Sequence, residues 1–128
     1  MSQRIFIKFV SDPKVDPFKA IVGLACAARA VDDGHEVSVF FAASGVRLLE
    51  PSYVKQLDED FGEGNMVASF IESIGAGADL HCSFGSVGAV LGHKEGDGAL
   101  IVPDDAIVWS GPPGVISLAV QSDVQLVY

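Results

Sequence analysis

Positive charge is scarce in this chain. Eight Lys and Arg stand against 17 Asp and Glu, giving a net charge of −9 at pH 7. A field of that sign repels phosphate backbones and anionic headgroups, so neither nucleic acid nor a membrane surface is expected as a partner. Cysteine is scarcer: Cys26 and Cys82 are the only two. They are too few for a disulfide framework and lack the CxxC spacing of a redox dithiol or a zinc knuckle. No apolar run approaches the roughly 18 residues that span a bilayer. Residues 1–20 show none of the basic start, long apolar stretch and small-residue cleavage site of a secretory signal. The expectation is a soluble, cytoplasmic protein.

Apolar residues are abundant instead, at 49% of 128 residues with only 20% charged. That length suits one domain with a core that needs no metal or disulfide staple. The composition holds more apolar surface than a lone domain of this size hides, which predicts self-association. Trp109 and Tyr128, in the weakly charged C-terminal half, are the aromatic anchors expected for such an interface.

"RIFIKFV" (residues 4–10) reads as a buried strand that breaks at Ser11-Asp12-Pro13. A helix follows, with Asp16 as its cap, Pro17 in its first turn, and Phe18, Ile21, Val22, Ala25 and Ala28 as its inner face until Gly34. "EVSVFF" (36–41) is the second strand, so the first forty residues form a βαβ unit with a parallel pair. "SGVRLLE" fits a short helix, and "PSYVKQLDEDFGEG" an acidic connection with anchors at Tyr53, Val54, Leu57 and Phe61. Asn65 is placed to cap a helix carrying Met66, Val67, Phe70, Ile71 and Ile74 and ending near Gly75. "GADLHC" is the third strand, and Ser86 the cap of a short helix bearing Val87, Val90 and Leu91. A loop, "HKEGDGALIVPDD", leads to the strand "AIVW" (106–109). Ser110, Pro112 and Pro113 then open a last helix with Val115, Ile116, Ala119 and Val120 inward, and "VQLVY" closes the chain as a fifth strand. The pattern predicts a three-layer α/β domain with a five-stranded, mostly parallel sheet and helices on both faces. The first three strands follow the initial βαβ unit, before a switch to the other side.

The segments "IFIKFVSDP", "AVDDGHEVSVFFAASGVRLL", "GADLHC" and "SDVQLVY", which span nearly the whole chain, resemble the DsrE/DsrF-like family. These are small flavodoxin-like α/β proteins that include sulfur-relay subunits. The resemblance implies a cysteine just after the third strand that accepts sulfur as a persulfide. It also implies assembly as a homotrimer or hexamer, sulfur donor and acceptor proteins as partners, and no organic cofactor. Two neighbours, Cys82 and Ser83, fall at the place of that cysteine, and alternation along a strand points them to opposite faces.

Cys82 is accordingly the candidate catalytic residue, with His81, Ser83 and Ser86 as supporting candidates. The carboxyl ends of parallel strands are where α/β domains place their chemistry. A helix starting near Ser86 would direct N–H groups at a thiolate and lower its pKa. A second reading, from a different class, is a non-catalytic oligomeric interaction or small-ligand-binding module with the same fold; no Lys or Arg lies between Gly75 and Gly92 to hold a thiolate. Cys26 reads as helix-to-sheet packing. Cys82, His81 and His93 match no zinc spacing, so no metal is expected. "GAGADL" precedes a strand and so is no dinucleotide fingerprint, "SDPKVDP" suits a rigid turn, and Asp58-Glu59-Asp60 a solvated surface.

Overall fold

The computed structural model describes residues 2–61, 63–94 and 96–128. Gly62, in the acidic connection, and Glu95, in the loop before the fourth strand, lie outside the described residues. Five strands form one sheet: β1 (Arg4–Phe9), β2 (Glu36–Phe41), β3 (Asp79–Ser83), β4 (Ile107–Ser110) and β5 (Val124–Val127). Their spatial order is β4-β3-β2-β1-β5 and every pairing is parallel. The switch of side therefore falls one strand later than expected. β4 continues outward beside β3, and only β5 returns to the far edge, next to β1.

Parallel strands need long crossovers, and helices supply them. On one face lie α1 (Pro17–Asp32), α2 (Pro51–Phe61) and α3 (Met66–Gly77); α5 (Pro112–Gln121) lies on the other. Alternation sends Ile7, Phe9, Val37, Val39, Phe41, Leu80 and Cys82 toward the three helices, and all are buried. Each large side chain among them contributes about 1.5–3 kcal/mol by leaving water. Phe9 and Phe41 stack with ring centres 5.4 Å apart across the β1–β2 pair.

Asp16 caps α1 as expected, accepting from the Lys19 N–H, with Pro17 in the first turn. Of the expected inner face only Ala28 is fully buried, with Ile21 packed beside the core. Ala20, Gly23, Leu24, Ala27, Ala28 and Ala30 face inward, while Phe18 and Val22 are exposed. Small residues win the inner position because α1 presses closely on the sheet: a Cβ on Gly23 would meet the rings of Phe9 and Tyr128 at 2.6 Å. Cys26 is consequently exposed instead of packed in the core. Gly45, in the 3-10 helix Ala43–Leu49, is required for a similar reason, since a Cβ there would overlap the Phe9 carbonyl.

The acidic connection is a helix, α2. Val54 and Leu57 are buried and the charges mostly face water. Asp58 is the exception, buried and accepting from the Val67 N–H (2.6 Å) and the Ala68 N–H (3.1 Å). It thus caps α3 from a neighbouring helix, the role expected of Asn65, whose side chain makes no cap bond. In α5, Val115 and Ala119 are half-buried, but Ile116 and Val120 point outward; Gly111, not Ser110, is its capping position. A helix apolar all round has no stripe to identify its inner side. Trp109 and Tyr128 are engaged within the chain: the indole N–H donates to the Asp104 carbonyl, and the Tyr128 ring stacks on Phe9.

Candidate functional site

β3 runs one residue beyond His81-Cys82, and that extra residue decides the local chemistry. Cys82 pairs in register with Phe41 and Trp109 and points toward the three helices, with 0% of its surface exposed. Its S–H makes only a long contact, 3.8 Å, to the Ser83 carbonyl. Burial pushes the thiol up to about 12 from an ordinary 9.0, with no opposing cation or helix end drawing it down. The expected low pKa at the mouth of the sheet is therefore not met.

The helix end expected to activate the sulfur is occupied by the two serines. The expected short helix is present over Val87–Leu91 with Ser86 at its N-cap position, but Ser86 makes no cap bond to it; the helical stretch begins earlier, at α4 (Phe84–Ser86), which Ser83 caps by accepting from the Ser86 N–H at 3.1 Å. The Ser86 hydroxyl donates to Ser83 Oγ at 3.0 Å and accepts the Ala43 N–H at 2.9 Å. Ala43 holds φ +49°, the one positive φ outside glycine among the described residues, just after β2. Ser83 and Ser86 thus meet as expected, but they tie α4 to the end of β2 and do not reach the sulfur.

His81 lies on the opposite face of β3, stacked on Phe40 with ring centres 6.2 Å apart. Burial lowers its pKa, and the Asp79 carboxylate offsets part of the effect, so the ring is neutral at pH 7. His93 is elsewhere, its ring 3.2 Å from a Glu50 carboxylate oxygen. Among the described residues no three His, Cys, Asp or Glu side chains gather where they could hold a metal ion.

A polar cluster at the carboxyl end of β1 is not visible in the sequence pattern. Asp12 lies 3.6 Å from Arg47, and the Lys14 ammonium sits over the Tyr53 ring at 5.6 Å. Burial and the Asp12 charge raise the Tyr53 pKa while Arg47 opposes them. The one signal for it is the turn "SDPKVDP" at the ligand end of a parallel sheet; Arg47, in a short helix, and Tyr53, an anchor of the acidic connection, reach it only through the tertiary fold.

No protein-family model matches the chain, and no curated protein matches it in sequence. Among solved structures it is similar to the ychN protein from E. coli, with a TM-score of 0.70, 12% identity and coverage of 100% of both chains. The likeness shows a shared fold: five parallel strands with helices on both sides, matched from end to end. Among the described residues no helix is long and apolar enough to cross a membrane.

Proposed function

We propose that this chain is a DsrE-like module that works by assembly and binding, without persulfide chemistry at Cys82. The observation that carries this reading is the sulfur itself, fully buried with its pKa pushed up to about 12. Sulfur exchange needs a thiolate that another protein can reach, because the attacking sulfur forms a mixed species with its partner. At neutral pH a thiol of pKa about 12 is almost wholly protonated, and this one lies within the cluster of buried side chains between sheet and helices. Fold likeness alone carries no chemistry, so the sulfur-carrier reading rests on Cys82 leaving the core.

The assembly half of the proposal rests on α5. It bears no charged residue, none of its residues is buried, and Ile116 and Val120 are 64% and 79% exposed one turn apart. Val108 on β4 and Val124 and Val127 on β5 are exposed as well. A second copy covering α5 would answer the high apolar content, with a trimer or hexamer as the resemblance implies.

Native protein treated with iodoacetamide and, separately, with a persulfide donor tests the first half. Mass spectrometry should find label on exposed Cys26 and nothing on Cys82 until the chain is unfolded. One added sulfur atom on Cys82 in the folded protein at neutral pH would overturn the proposal and restore the sulfur-carrier role. Sedimentation tests the second half: the expected mass is a multiple of 13.4 kDa that Ile116→Glu reduces. A 13.4 kDa monomer would remove it.

A further inference from the structure

On the face of the sheet opposite Cys82, at the amino ends of the strands, a groove of about 610 Å³ opens beneath the last turn of α5. Its floor includes Phe6 from β1, Ser38 from β2 and His81 from β3; Leu118 and Gln121 of α5 form the overhang. Ser38 and Asp79 are direct partners in the β2–β3 register, with His81 two residues further along the same face. These three polar side chains therefore converge within one or two strand spacings, each about 4.8 Å.

None of the three has a hydrogen-bond or ion-pair partner among the described residues, while the groups around them are each engaged through one atom. Arg4 Nε is taken by Glu36 at 3.0 Å, His35 Nδ1 accepts from the Gln3 N–H, and the Gln121 amide N–H₂ donates to Ser117. Unclaimed acceptors are both Asp79 oxygens, the Gln121 carbonyl, the Ser38 hydroxyl and one ring nitrogen of neutral His81; the unclaimed donors are led by the Nη groups of Arg4, on a side chain 62% exposed and already paired through Nε with Glu36. Arg4 and Glu36 cancel, so the groove keeps the single negative charge of Asp79, within a chain of net charge −9. Ser38 and His81 are half-buried and Asp79 is exposed, so water meets their hydrogen-bonding needs and a ligand that enters must replace it. With Arg4 paired to Glu36, an anion would meet the net negative charge left by Asp79, and a wholly apolar molecule would displace water from its carboxylate without replacing the hydrogen bonds.

We propose that this groove is a binding site for a small organic cation, a primary ammonium or amidinium on a compact apolar body. The charged group would rest between Asp79 and Ser38, with His81 accepting a further N–H, and the body would pack on Phe6 and Leu118. The proposal rests on the binding-module reading above and specifies its ligand. Its failure would leave Cys82 inert and the assembly intact, because those are read by thiol labelling and by sedimentation.

The test is a titration of the full-length ¹⁵N-labelled chain, in its solution assembly, with benzamidine and with its anionic counterpart benzoate. Benzamidine at millimolar concentrations should give saturable shifts at the amides of Ser38, Asp79 and His81, and benzoate should give none. Asp79→Asn should weaken benzamidine binding at least about tenfold, as expected for losing a charge-assisted pair. Gln121→Lys, at an exposed position that places a like charge on the overhang, should weaken it too and serves if the first variant fails to fold. Equal binding of benzoate, unsaturating shifts scattered over the acidic surface, no shifts at all, or variants that bind as well as the native chain would each overturn the proposal.

Discussion

The two faces of the sheet are built from the same five strands of alternating side chains, yet they are finished differently. On β2, Val37, Val39 and Phe41 meet three helices and are sealed, whereas Glu36, Ser38 and Phe40 meet α5 alone. Phe6 and Phe40 are buried there, but Ser38 and His81 stay half-exposed and Val108 and Val127 reach water. One face serves to hold the chain together. The other keeps free apolar and polar groups that recognition can use, and the one titratable sulfur in the core lies on the sealed side.

The sharpest way to break this contrast is to truncate matched residues on the two faces. Phe41→Ala should cost about 3–5 kcal/mol in denaturant unfolding, and Val108→Ala, on an exposed side chain, should stay within about 0.5 kcal/mol. Equal losses would mean that the second face contributes as much to stability as the first. Next in size is the alkaline limb of stability. Because folding raises the Cys82 pKa from 9.0 to about 12, this contribution is fully present below about pH 9 and is lost as pH rises toward 12, up to about 4 kcal/mol. Urea midpoints measured across that window should fall more steeply for the native chain than for Cys82→Ala.

Asp58→Ala should cost about 1–3 kcal/mol, since it strands two inward N–H groups at the start of α3; amide exchange at Val67 and Ala68 should accelerate more than elsewhere in that helix. The smallest effect belongs to the open face. His81 has a lowered pKa from burial, so its contribution is present above the ordinary value of 6.5 and is lost as pH falls below it. Thermal melts between neutral and mildly acidic pH should show this slope, and His81→Asn should flatten it.

The sheet and its crossovers were legible because buried parallel strands such as "RIFIKF" and "EVSVFF" are short, apolar and bounded by turn residues, a local signal. What was not legible depended on contacts between distant segments. α2 hid behind its acidic residues, because only Val54 and Leu57 mark its inner side and Asp58 turns inward to the Val67 N–H of the next helix. On α1 the expected face was drawn by Phe18 and Val22, but close packing at Gly23 against Phe9 and Tyr128 turns the buried stripe to Ala20, Leu24 and Ala27. At the candidate site the difference was one residue: by running to Ser83, β3 assigns Cys82 to the helical face and His81 to the open one. The groove of Ser38, Asp79 and His81 draws on three strands and a helix, so no single stretch announces it.

The position of β5 also governs how the molecule can be made. β1 finds β2 across one helix, but its other edge waits for Val124 and the residues after it, and meets them as Ile5 meets Val124. Pairing at that sequence distance carries a large loop-closure cost and is expected to form late. Until it does, β1 offers a bare row of N–H and C=O groups beside an apolar surface, which is a template for the β5 segment of any other molecule nearby. At high concentration the slow refolding partner of this protein is thus its own tail in trans, and dilution during refolding should raise the yield of correctly closed sheets.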